Sequence, residues 1–571
     1  MKRGIRRFPR LWRASRLARR WYHARAGAYP DWGPIVRADA ARWQAARSEA
    51  QGGPKVLMAT AIGSYVNAVT LESALSAALT FRGAEVHALL CDAAMTACAE
   101  CDASLYPDLE RFARYGPSRD LCRDCRWPAE RVYAGLGLRV HRYSEWLTPE
   151  DRAEAARVAA ELPYADIATF ERDGLALGEH ARAGALRFFA TGTLEDEPLA
   201  DPVLRRYLES AMLTACATRR LLRELGFTSV VCTHGIYVPW GIVGEVARRE
   251  GVHVSTWNVA YRKRRFIFSH DDTYHHTLLD EPREHWEHLE LGPTREHELM
   301  RYLSSRRDGL FDWIVFHRPS TQDPGGIAAR IGLDPSKPVI GLLTNVAWDA
   351  QLHYPANAFP SMLDWLVRTV EYFGRRPELQ LLVRIHPAEI SGFPPSRQPV
   401  LAELRKQVPR LPQNVIVVPP ESEISTYALM SLCNGAIIYG TKMGVELTSV
   451  GIPVIVAGEA WIRNKGLTHD ASSPEQYFRL LDGLPFSSRL SPDLLARARR
   501  YAYHFFFNRM IPLPFIEPRA GYPIYTLKLD SLGELQPGAS RGLDAICEGI
   551  LRRAPFVLRE KRSPAPELVN S

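Results

Sequence analysis

The sequence has no run of about 18 uncharged apolar residues, the length that a helix needs to cross a bilayer. It has no repeat at the period of a solenoid or propeller. Charged residues make up 24% and hydrophobic residues 46% of the chain, which excludes a disordered, collagen-like or coiled-coil protein. What remains is a globular chain of 571 residues, long enough for two large domains or three smaller ones.

Acidic residues are missing from residues 1–30, which hold ten lysines and arginines. The whole chain carries a formal charge of +8, so the other 541 residues carry −2. A basic protein invites an assignment to nucleic-acid binding, but this body is near neutral and contains no RNA- or DNA-binding module. The positive charge therefore belongs to a terminal arm, and nucleic acid is not the expected partner.

Within this arm, apolar residues recur among the arginines at loosely helical spacing: Ile5, Phe8, Leu11, Trp12, Leu17 and Trp21. A cationic helix with aromatic anchors is typical of a segment that lies in an anionic membrane interface. A solvated, partly disordered extension is the alternative. Because arginine interrupts every apolar stretch, the arm does not fit a secretory signal. We expect a cytoplasmic protein that is peripheral at the inner face of the membrane through this arm.

Short apolar strands alternate with helical segments in two separate regions of the chain. Residues 55–61 and 85–91 are predicted strands on either side of a helix over 69–81, and strands and helices alternate again from residue 229. The pattern stops over residues 280–330 and resumes at residue 338. Alternation of this kind predicts an α/β fold with parallel sheets.

We therefore predict a GT-B-like arrangement, in which two Rossmann-like domains face a cleft that binds ligands at the carboxyl ends of the strands. The predicted segments are a basic arm (1–50), an N-terminal Rossmann-like domain (54–279) with a Cys-rich insertion (91–126), a linker (280–334), a C-terminal Rossmann-like domain (335–480) and a helical extension (481–571).

Four of the nine cysteines form two C-x2-C pairs separated by twenty residues: Cys98, Cys101, Cys122 and Cys125. This spacing is typical of a tetrahedral Zn²⁺ site with four thiolate ligands. Such a site has no open position for water, so we expect a structural Zn²⁺ that braces the insertion of the N-terminal domain. Disulfides and free thiols are the alternatives, the former disfavoured in a reducing compartment.

A second set of residues is predicted to lie at the cleft of the C-terminal domain. Arg384 and His386 stand where a strand ends, and they could supply a positive charge and a hydrogen bond to a ribose or phosphate. A turn histidine with a structural role is the alternative for His386. Further along the chain, Ser425 precedes a short helix that its side chain could cap.

The segment 439–446 leads from a strand into a helix and carries the groups that a phosphate site needs. Gly440 permits close approach of the backbone, while Thr441 and Lys442 add a hydroxyl and a positive charge. Glu446 lies in the first turns of the helix, where its carboxylate could accept hydrogen bonds from ribose hydroxyls. An interaction with the helix dipole is the alternative for Glu446.

These motifs together resemble the capsule polysaccharide biosynthesis family, over about residues 335–480: 384–387, 425–427, 439–441, Glu446 and 451–454. That family is similar to GT-B sialyl- and Kdo-transferases, which use CMP-activated sugars without a metal. The resemblance implies that His386 contacts the donor nucleotide and that the turn at Gly440 and Thr441 receives its phosphate. Because the wider group often has a serine pair where this chain has Thr441 and Lys442, UDP- and GDP-sugars stay open beside CMP-sugars.

A transferase needs a general base near the acceptor hydroxyl, and the N-terminal domain is expected to supply it. His234, at the end of a strand, is the first candidate, and Asp271 and Asp272 are the second. Asn345 and Asp349 follow the first strand of the C-terminal domain and are expected to face the cleft. A turn histidine and a solvated acidic loop are the alternatives for the candidate bases.

The sequence thus predicts a glycosyltransferase that transfers a sugar from a nucleotide to a glycan or glycolipid acceptor during synthesis of capsule or other surface polysaccharide. A nucleotide-sugar epimerase on the same fold is one alternative. A non-enzymatic, zinc-containing protein that binds membrane or nucleic acid is the other.

Overall fold

The computed structural model describes residues 9–25, 28–106, 108–306, 311–313, 324–349, 355–392 and 394–558. Its strands form two large sheets and one small one. The strands are β1 (Lys55–Ala61), β2 (Glu85–Leu90), β3 (Arg139–Arg142), β4 (Ser229–Thr233), β5 (His253–Val259), β6 (Arg265–His270), β7 (Val339–Leu343), β8 (Gln380–Arg384), β9 (Val415–Val418), β10 (Gly435–Ile438), β11 (Val454–Val456), β12 (His469–Asp470), β13 (Ile511–Pro512), β14 (Ile516–Pro518) and β15 (Tyr525–Leu527).

The helices of the first half of the chain surround the first sheet, except the last of them, α13 (Pro293–Ser305), which packs in a core of the second sheet. They are α1 (Pro9–Arg25), α2 (Trp32–Ala38), α3 (Ala40–Ala50), α4 (Val66–Thr80), α5 (Leu109–Tyr115), α6 (Arg119–Gly135), α7 (Pro149–Glu161), α8 (Tyr164–Ile167), α9 (Leu177–Phe189), α10 (Ala200–Leu225), α11 (Trp240–Arg249), α12 (Tyr274–Thr277) and α13 (Pro293–Ser305).

The remaining helices surround the second sheet or belong to the C-terminal segment. They are α14 (Pro324–Ile331), α15 (Met362–Gly374), α16 (Ala388–Ser391), α17 (Val400–Gln407), α18 (Thr426–Ser431), α19 (Met443–Ser449), α20 (Pro474–Asp482), α21 (Pro492–Tyr503) and α22 (Arg541–Arg552). Single helical turns of other types lie at Tyr143–Trp146, Arg283–His285, His504–Asn508 and Leu532–Leu535. No helix of the described residues is both long and apolar enough to cross a membrane.

The first sheet has the strand order β13-β6-β5-β4-β1-β2-β3. Strands β1 to β5 are mutually parallel, whereas β6 and β13 are antiparallel to their neighbours. Alternate residues of β1 pack on opposite faces, with Leu57 and Ala59 in one core and Val56 and Met58 in the other. Burial on both faces explains why these strands are continuous apolar runs in the sequence.

The second sheet is parallel throughout, in the order β12-β11-β10-β7-β8-β9. Counted from β7, this is the order 3-2-1-4-5-6 of a doubly wound nucleotide-binding sheet. Its two faces bury separate cores, which contain Ile340 and Leu342 on one side and Val339 and Leu343 on the other. The predicted mixed α/β fold with parallel sheets is confirmed.

The C-terminal segment returns to the first sheet. After α21, β13 pairs with β6, and α22 packs against α4 and β5. The buried carboxylate of Glu281 fastens this return, because it pairs with Arg509 and His504, both at 3.0 Å. The prediction of a purely helical extension over 481–571 was wrong, since β13, β14 and β15 also lie there. Short strands of two or three residues leave too little periodic pattern to be recognised.

Candidate active-site cleft

The two sheets place their switch points on one cleft. In a doubly wound sheet, ligands bind outside the carboxyl ends of the strands where the strand order reverses. That point lies between β1 and β4 in the first sheet and between β7 and β10 in the second. Residues that follow these strands line one cavity of about 1460 Å³. Among its lining residues are Tyr65, His234, Tyr261, His275, Asn345, Asp349, His386, Gly440, Thr441, Lys442 and Trp461.

At the second sheet, the turns after β7 and β10 contact each other directly. The Gly440 backbone N–H donates to Asn345 Oδ1, at 3.3 Å. A Cβ atom on residue 440 would lie 3.3 Å from Asn345 Nδ2, which is a tight contact. The Thr441 hydroxyl accepts a hydrogen bond from the Met443 N–H, at 3.3 Å, and so caps the first turn of α19. Glycine at residue 440 therefore lets the two strand ends approach.

His386 lies in the same wall, immediately after β8. Its backbone N–H donates to Thr344 Oγ1 at 3.0 Å, and its Nδ1 accepts from the Ala388 N–H at 3.1 Å. Because Nδ1 acts as an acceptor, the neutral imidazole carries its proton on Nε2. The structure thus places a histidine of fixed tautomer in the cleft, at the position that the sequence singled out.

Arg384 has a structural role that the sequence did not predict. Its side chain is 1% exposed and donates to the carbonyl oxygens of Pro419 and Ser422, the latter at 3.3 Å, and to Thr426 Oγ1 at 3.4 Å. Burial lowers the pKa of Arg384 to about 10. The guanidinium fastens the loop before α18, although Arg384 also lines the cleft. Its assignment as a charge for a phosphate stays a prediction.

Ser425 also differs from expectation. It is buried beside α18, its hydroxyl makes no side-chain cap, and Thr426 and Tyr427 line the cleft in its place. Ser425 is the N-cap residue of α18, but its buried hydroxyl has no hydrogen-bond partner among the described residues. The segment 425–427 therefore reaches the cleft as expected, but through Thr426 and Tyr427 and not through Ser425.

Glu446 lies beneath the cleft wall and not in it. One carboxylate oxygen accepts from Lys442 Nζ at 2.6 Å, and the other accepts from the Tyr427 hydroxyl at 2.7 Å and from Arg306 Nε at 2.9 Å. Burial acts to raise the pKa of Glu446, but the charges of Arg306 and Lys442 outweigh it and lower the pKa to about 2. Its carboxylate is committed to these partners, so the assignment to ribose hydroxyls was wrong.

Lys442 reaches the cleft from above this carboxylate. Its ammonium lies 4.7 Å from the centre of the Tyr261 ring, which belongs to the loop after β5. Burial and the neighbouring charge of Arg306 lower the pKa of Lys442, while Glu446 acts in the opposite direction. The ammonium has three N–H donors. One of them goes to Glu446.

At the first sheet, His234 follows β4 and faces the cavity. Its backbone has a φ of 67°, in the left-handed region that few residues other than glycine adopt. Its N–H donates to the Trp257 carbonyl at 2.8 Å, and its ring stacks on His275 with centroids 5.9 Å apart. Its Nδ1 is buried without a hydrogen-bond partner among the described residues.

The ionisation of His234 is set by burial and by a carboxylate of the opposite wall. Burial lowers the pKa of His234 to about 4, and the nearby Asp349 opposes this shift. Asp349 follows β7 and accepts a hydrogen bond from the Tyr237 hydroxyl, at 3.2 Å. A histidine of the first sheet and an aspartate of the second therefore meet across the cleft, with the imidazole neutral at pH 7.

Asp271 and Asp272 lie outside the cavity. Asp271 accepts a hydrogen bond from the Val254 N–H at 3.2 Å and pairs with Arg553. Asp272 pairs with His276 Nδ1 at 3.1 Å and does not line the cleft. Their assignment as candidate bases was wrong. The loop that carries them turns back toward the C-terminal helix α22, and this contact has no signal in the local sequence.

One wall of the cleft is aromatic, and sequence reasoning missed it. Trp461 follows β11 and contacts the rings of Tyr274 at 5.4 Å, His275 and Phe505 at 5.7 Å each, and Tyr261 at 6.1 Å. Only the position of Trp461 after the carboxyl end of β11 could have indicated this wall from the sequence. Flat ring faces of this kind suit contact with the C–H faces of a sugar.

The structure brings the two thiols of the first C-x2-C pair close together. Cys98 Sγ lies 3.8 Å from Cys101 Sγ, and Cys125 Sγ accepts a hydrogen bond from the Ser64 N–H at 3.2 Å. Cys122 and Cys125 lie in the first turns of α6. None of the nine cysteines forms a disulfide. Over the described ranges, no group of three or more His, Cys, Asp or Glu side chains is placed to hold a metal ion, so the Zn²⁺ site stays a prediction.

No protein-family model matches the sequence, and no curated protein matches it. Several solved structures are distantly similar. The beta Kdo 2,4 transferase of Thermosulfurimonas dismutans KpsC is 16% identical, covers 48% of this chain and 80% of its own, and has a TM-score of 0.31. The beta Kdo 2,7 transferase of the same KpsC is 13% identical, covers 56% and 88%, and has a TM-score of 0.29.

A UDP-GlcNAc 2-epimerase from Neisseria meningitidis, bound to UDP-GlcNAc, is 10% identical. It covers 79% of this chain and 95% of its own, with a TM-score of 0.23. None of these similarities is strong enough to indicate an activity for this chain. We infer the function from the geometry of the cleft.

The buried carboxylate of Glu446 gives a test of the cleft wall. We expect Glu446→Gln to lower the free energy of unfolding at pH 7 by about 3–5 kcal/mol, because Arg306 and Lys442 lose the charge that compensates them. With a pKa lowered from 4.5 to about 2, the carboxylate stabilises the fold fully above pH 4.5 and loses this effect as the pH falls toward 2. Urea unfolding of both proteins should therefore converge at low pH.

The matched control is Glu371→Gln, since Glu371 is exposed on α15. We expect its free energy of unfolding to stay within about 0.5 kcal/mol of the wild type. A Glu446→Gln protein as stable as this control at pH 7 would show that the carboxylate does not fasten the wall.

Proposed function

We propose that the protein is a GT-B glycosyltransferase that uses a nucleotide-activated sugar in the synthesis of capsule or other surface polysaccharide. The convergence of two switch points on one cleft carries this proposal. Sites for single small molecules measure roughly 300–1,000 Å³, and this cleft measures about 1460 Å³. A cavity of that size suits a donor and an acceptor together, with each sheet contributing one wall.

The second sheet is the proposed donor side. Residues of two turns converge there: His386 after β8, and Gly440, Thr441 and Lys442 between β10 and α19. His386 brings an imidazole to the cleft, and Lys442 brings an ammonium. We propose that these groups bind the nucleotide and its phosphate, with CMP favoured and UDP or GDP as alternatives.

The first sheet is the proposed acceptor side, which takes a glycan or glycolipid. The acceptor oxygen forms a bond to the anomeric carbon of the donor sugar while the bond from that carbon to the phosphate oxygen breaks. The hydroxyl proton passes to His234, which is neutral at pH 7 and can accept it. Asp349 then faces the imidazolium and stabilises its charge. Lys442 stabilises the charge left on the phosphate.

Nucleotide binding is the first test. A CMP, UDP or GDP that binds at 100 times its dissociation constant stabilises a protein by about 2.7 kcal/mol. We expect one of the three to raise the melting temperature of the wild type, with EDTA present, and His386→Ala to lose this rise. Gly440→Ala should weaken it too, because the added Cβ presses on Asn345. Differential scanning fluorimetry measures these shifts.

The control is His288→Ala, which removes an exposed histidine outside the cleft and should respond to nucleotide like the wild type. The melting temperature of each variant without nucleotide shows whether it is folded. If none of the three nucleotides stabilises the wild type, or if His386→Ala and Gly440→Ala both respond fully, the donor assignment is wrong.

The general base is the second test. We expect His234→Gln to lower turnover by about 10²- to 10⁴-fold. We expect Asp349→Asn to lower it about tenfold, and both variants should still bind nucleotide. The assay is release of nucleotide from a sugar conjugate of the stabilising nucleotide, with water as acceptor. Because the base must be unprotonated and its pKa is about 4, the rate should fall only as the pH drops through about 4.

Asp271→Asn is the matched control, since Asp271 lies outside the cavity, and its turnover should equal that of the wild type. A loss of turnover in Asp271→Asn but not in His234→Gln would reverse the assignment. A rate that falls through pH 6.5 would point to a solvent-exposed histidine as the base.

We also propose a structural Zn²⁺ at Cys98, Cys101, Cys122 and Cys125. Two thiolates bound to a tetrahedral Zn²⁺ at about 2.3 Å lie about 3.8 Å apart. The separation of Cys98 and Cys101 agrees with this value. The ion would draw the pair on α6 toward this pair and would take no part in catalysis.

Metal analysis of the purified protein tests this proposal. We expect about one zinc per chain in the wild type, and loss of it, together with a lower melting temperature, in Cys98→Ser. Cys216→Ser, on α10, is the control and should keep its zinc. Zinc-free wild type prepared from zinc-containing medium, or zinc retained by Cys98→Ser, would contradict the site.

A further inference from the structure

Helix α1 is fixed to the body of the protein by contacts along its length. Arg16 pairs with the buried Asp102 and donates to the Ser104 hydroxyl at 3.0 Å. Leu17 packs against the core of the first sheet, and Arg25 pairs with Asp124 of α6 at 3.3 Å. These contacts hold the helix in one orientation, so its exposed side chains have a defined direction.

One stripe of α1 is apolar and exposed. It carries Leu11, Ala14, Ala18, Trp21 and Tyr22, at positions i, i+3, i+7, i+10 and i+11. The exposed fractions of Leu11, Trp21 and Tyr22 are 59%, 56% and 58%. A surface helix normally turns its apolar stripe toward the core. Here the stripe stays exposed, although Ala18 and Trp21 also border a small cavity against α6.

Exposed aromatic side chains continue onto the helices next to α1. Tyr115 ends α5, and Trp127 lies on α6, against which α1 packs. Each of these rings has a guanidinium over its face, as Trp21 has: Arg25 over Trp21 at 5.2 Å, Arg114 over Tyr115 at 5.3 Å and Arg131 over Trp127 at 5.0 Å. We call the side chains of Leu11, Trp21, Tyr22, Tyr115 and Trp127 the outer aromatic surface.

The charge around this surface is of one sign on α1. The helix has six arginines and no acidic residue. Trp and Tyr side chains have apolar ring faces and one polar group. Next to guanidinium groups, such side chains suit the boundary between lipid headgroups and acyl chains. The headgroup phosphates of an anionic bilayer complement the arginines.

We propose that the outer aromatic surface docks the protein on an anionic phospholipid bilayer, with α1 lying in the plane of the interface. Leu11 and Trp21 enter the headgroup boundary, and Arg10 and Arg19 meet the phosphates. This interaction does not depend on the proposed enzymatic function, because none of these side chains lines the cleft.

Co-sedimentation of the full chain with vesicles tests the proposal. We expect binding to vesicles of phosphatidylglycerol and phosphatidylcholine, and at least tenfold weaker binding to vesicles of phosphatidylcholine alone. Leu11→Ser combined with Trp21→Ser, and separately Arg10→Glu combined with Arg19→Glu, should each weaken binding at least tenfold. Inorganic phosphate at matched ionic strength should not release the protein from the vesicles.

Matched variants far from α1 are the controls. Tyr164→Ser removes an exposed aromatic ring and Arg405→Glu reverses an exposed charge, and both should bind like the wild type. All these side chains point to solvent, so every variant should keep the melting temperature of the wild type.

Three outcomes would overturn the proposal. The wild type could fail to bind the anionic vesicles. Binding could survive the Leu11 and Trp21 substitutions, which would leave only charge attraction without insertion. Phosphate could release the protein, or single-stranded DNA could bind it through the same residues in place of vesicles, which would identify a different ligand.

Discussion

The wall of the cleft formed by the second sheet depends on the buried carboxylate of Glu446. It joins three segments that are distant in the sequence: the start of α19 through Lys442, the start of α18 through Tyr427, and the end of α13 through Arg306. A buried charge is costly unless its partners compensate it, and these partners do so at 2.6 to 2.9 Å. Removal of Lys442 or Arg306 takes away part of this compensation next to the turn at Gly440, and removal of the Tyr427 hydroxyl takes away a hydrogen bond.

The two walls of the cleft offer different chemistry because their strand ends differ. The turns of the second sheet present hydrogen-bond donors, from His386 Nε2 and the Lys442 ammonium. The first sheet presents an imidazole that burial keeps neutral, and Asp349 approaches it from the other side. The proposed reaction between a sugar conjugate and a hydroxyl would use both walls, because the proposed donor groups lie on one sheet and the proposed base on the other.

Much of this architecture could be predicted, because buried parallel strands leave apolar runs that end at recognisable turns. The strands β1 and β2 begin and end within one residue of the predicted bounds, 55–61 and 85–91. His386, Gly440 and His234 were placed correctly for the same reason, since residues that follow such strands lie at the sheet edge. Position along a strand was thus enough to find these three residues.

Side-chain direction could not be predicted in the same way. Arg384 ends a strand too, but it turns to carbonyl groups 35 to 38 residues further along the chain. Glu446 is paired with Arg306, 140 residues earlier. Asp271 meets Arg553 of the C-terminal segment. Each partner comes from a distant segment, and no local pattern reports it.

Positive charge is handled in opposite ways in the cleft and on α1, and this separates two modes of recognition. In the cleft, Lys442 and Arg306 share the Glu446 carboxylate, and the Arg384 guanidinium is taken up by carbonyl groups. We expect a ligand there to be selected by directed hydrogen bonds at fixed positions as well as by charge. On α1, Arg16 and Arg25 pair with Asp102 and Asp124, but Arg10 and Arg19 are exposed beside the apolar stripe. Charge of that kind favours an extended anionic surface over a single small ligand, because attraction that is spread along a helix has no preferred point of contact.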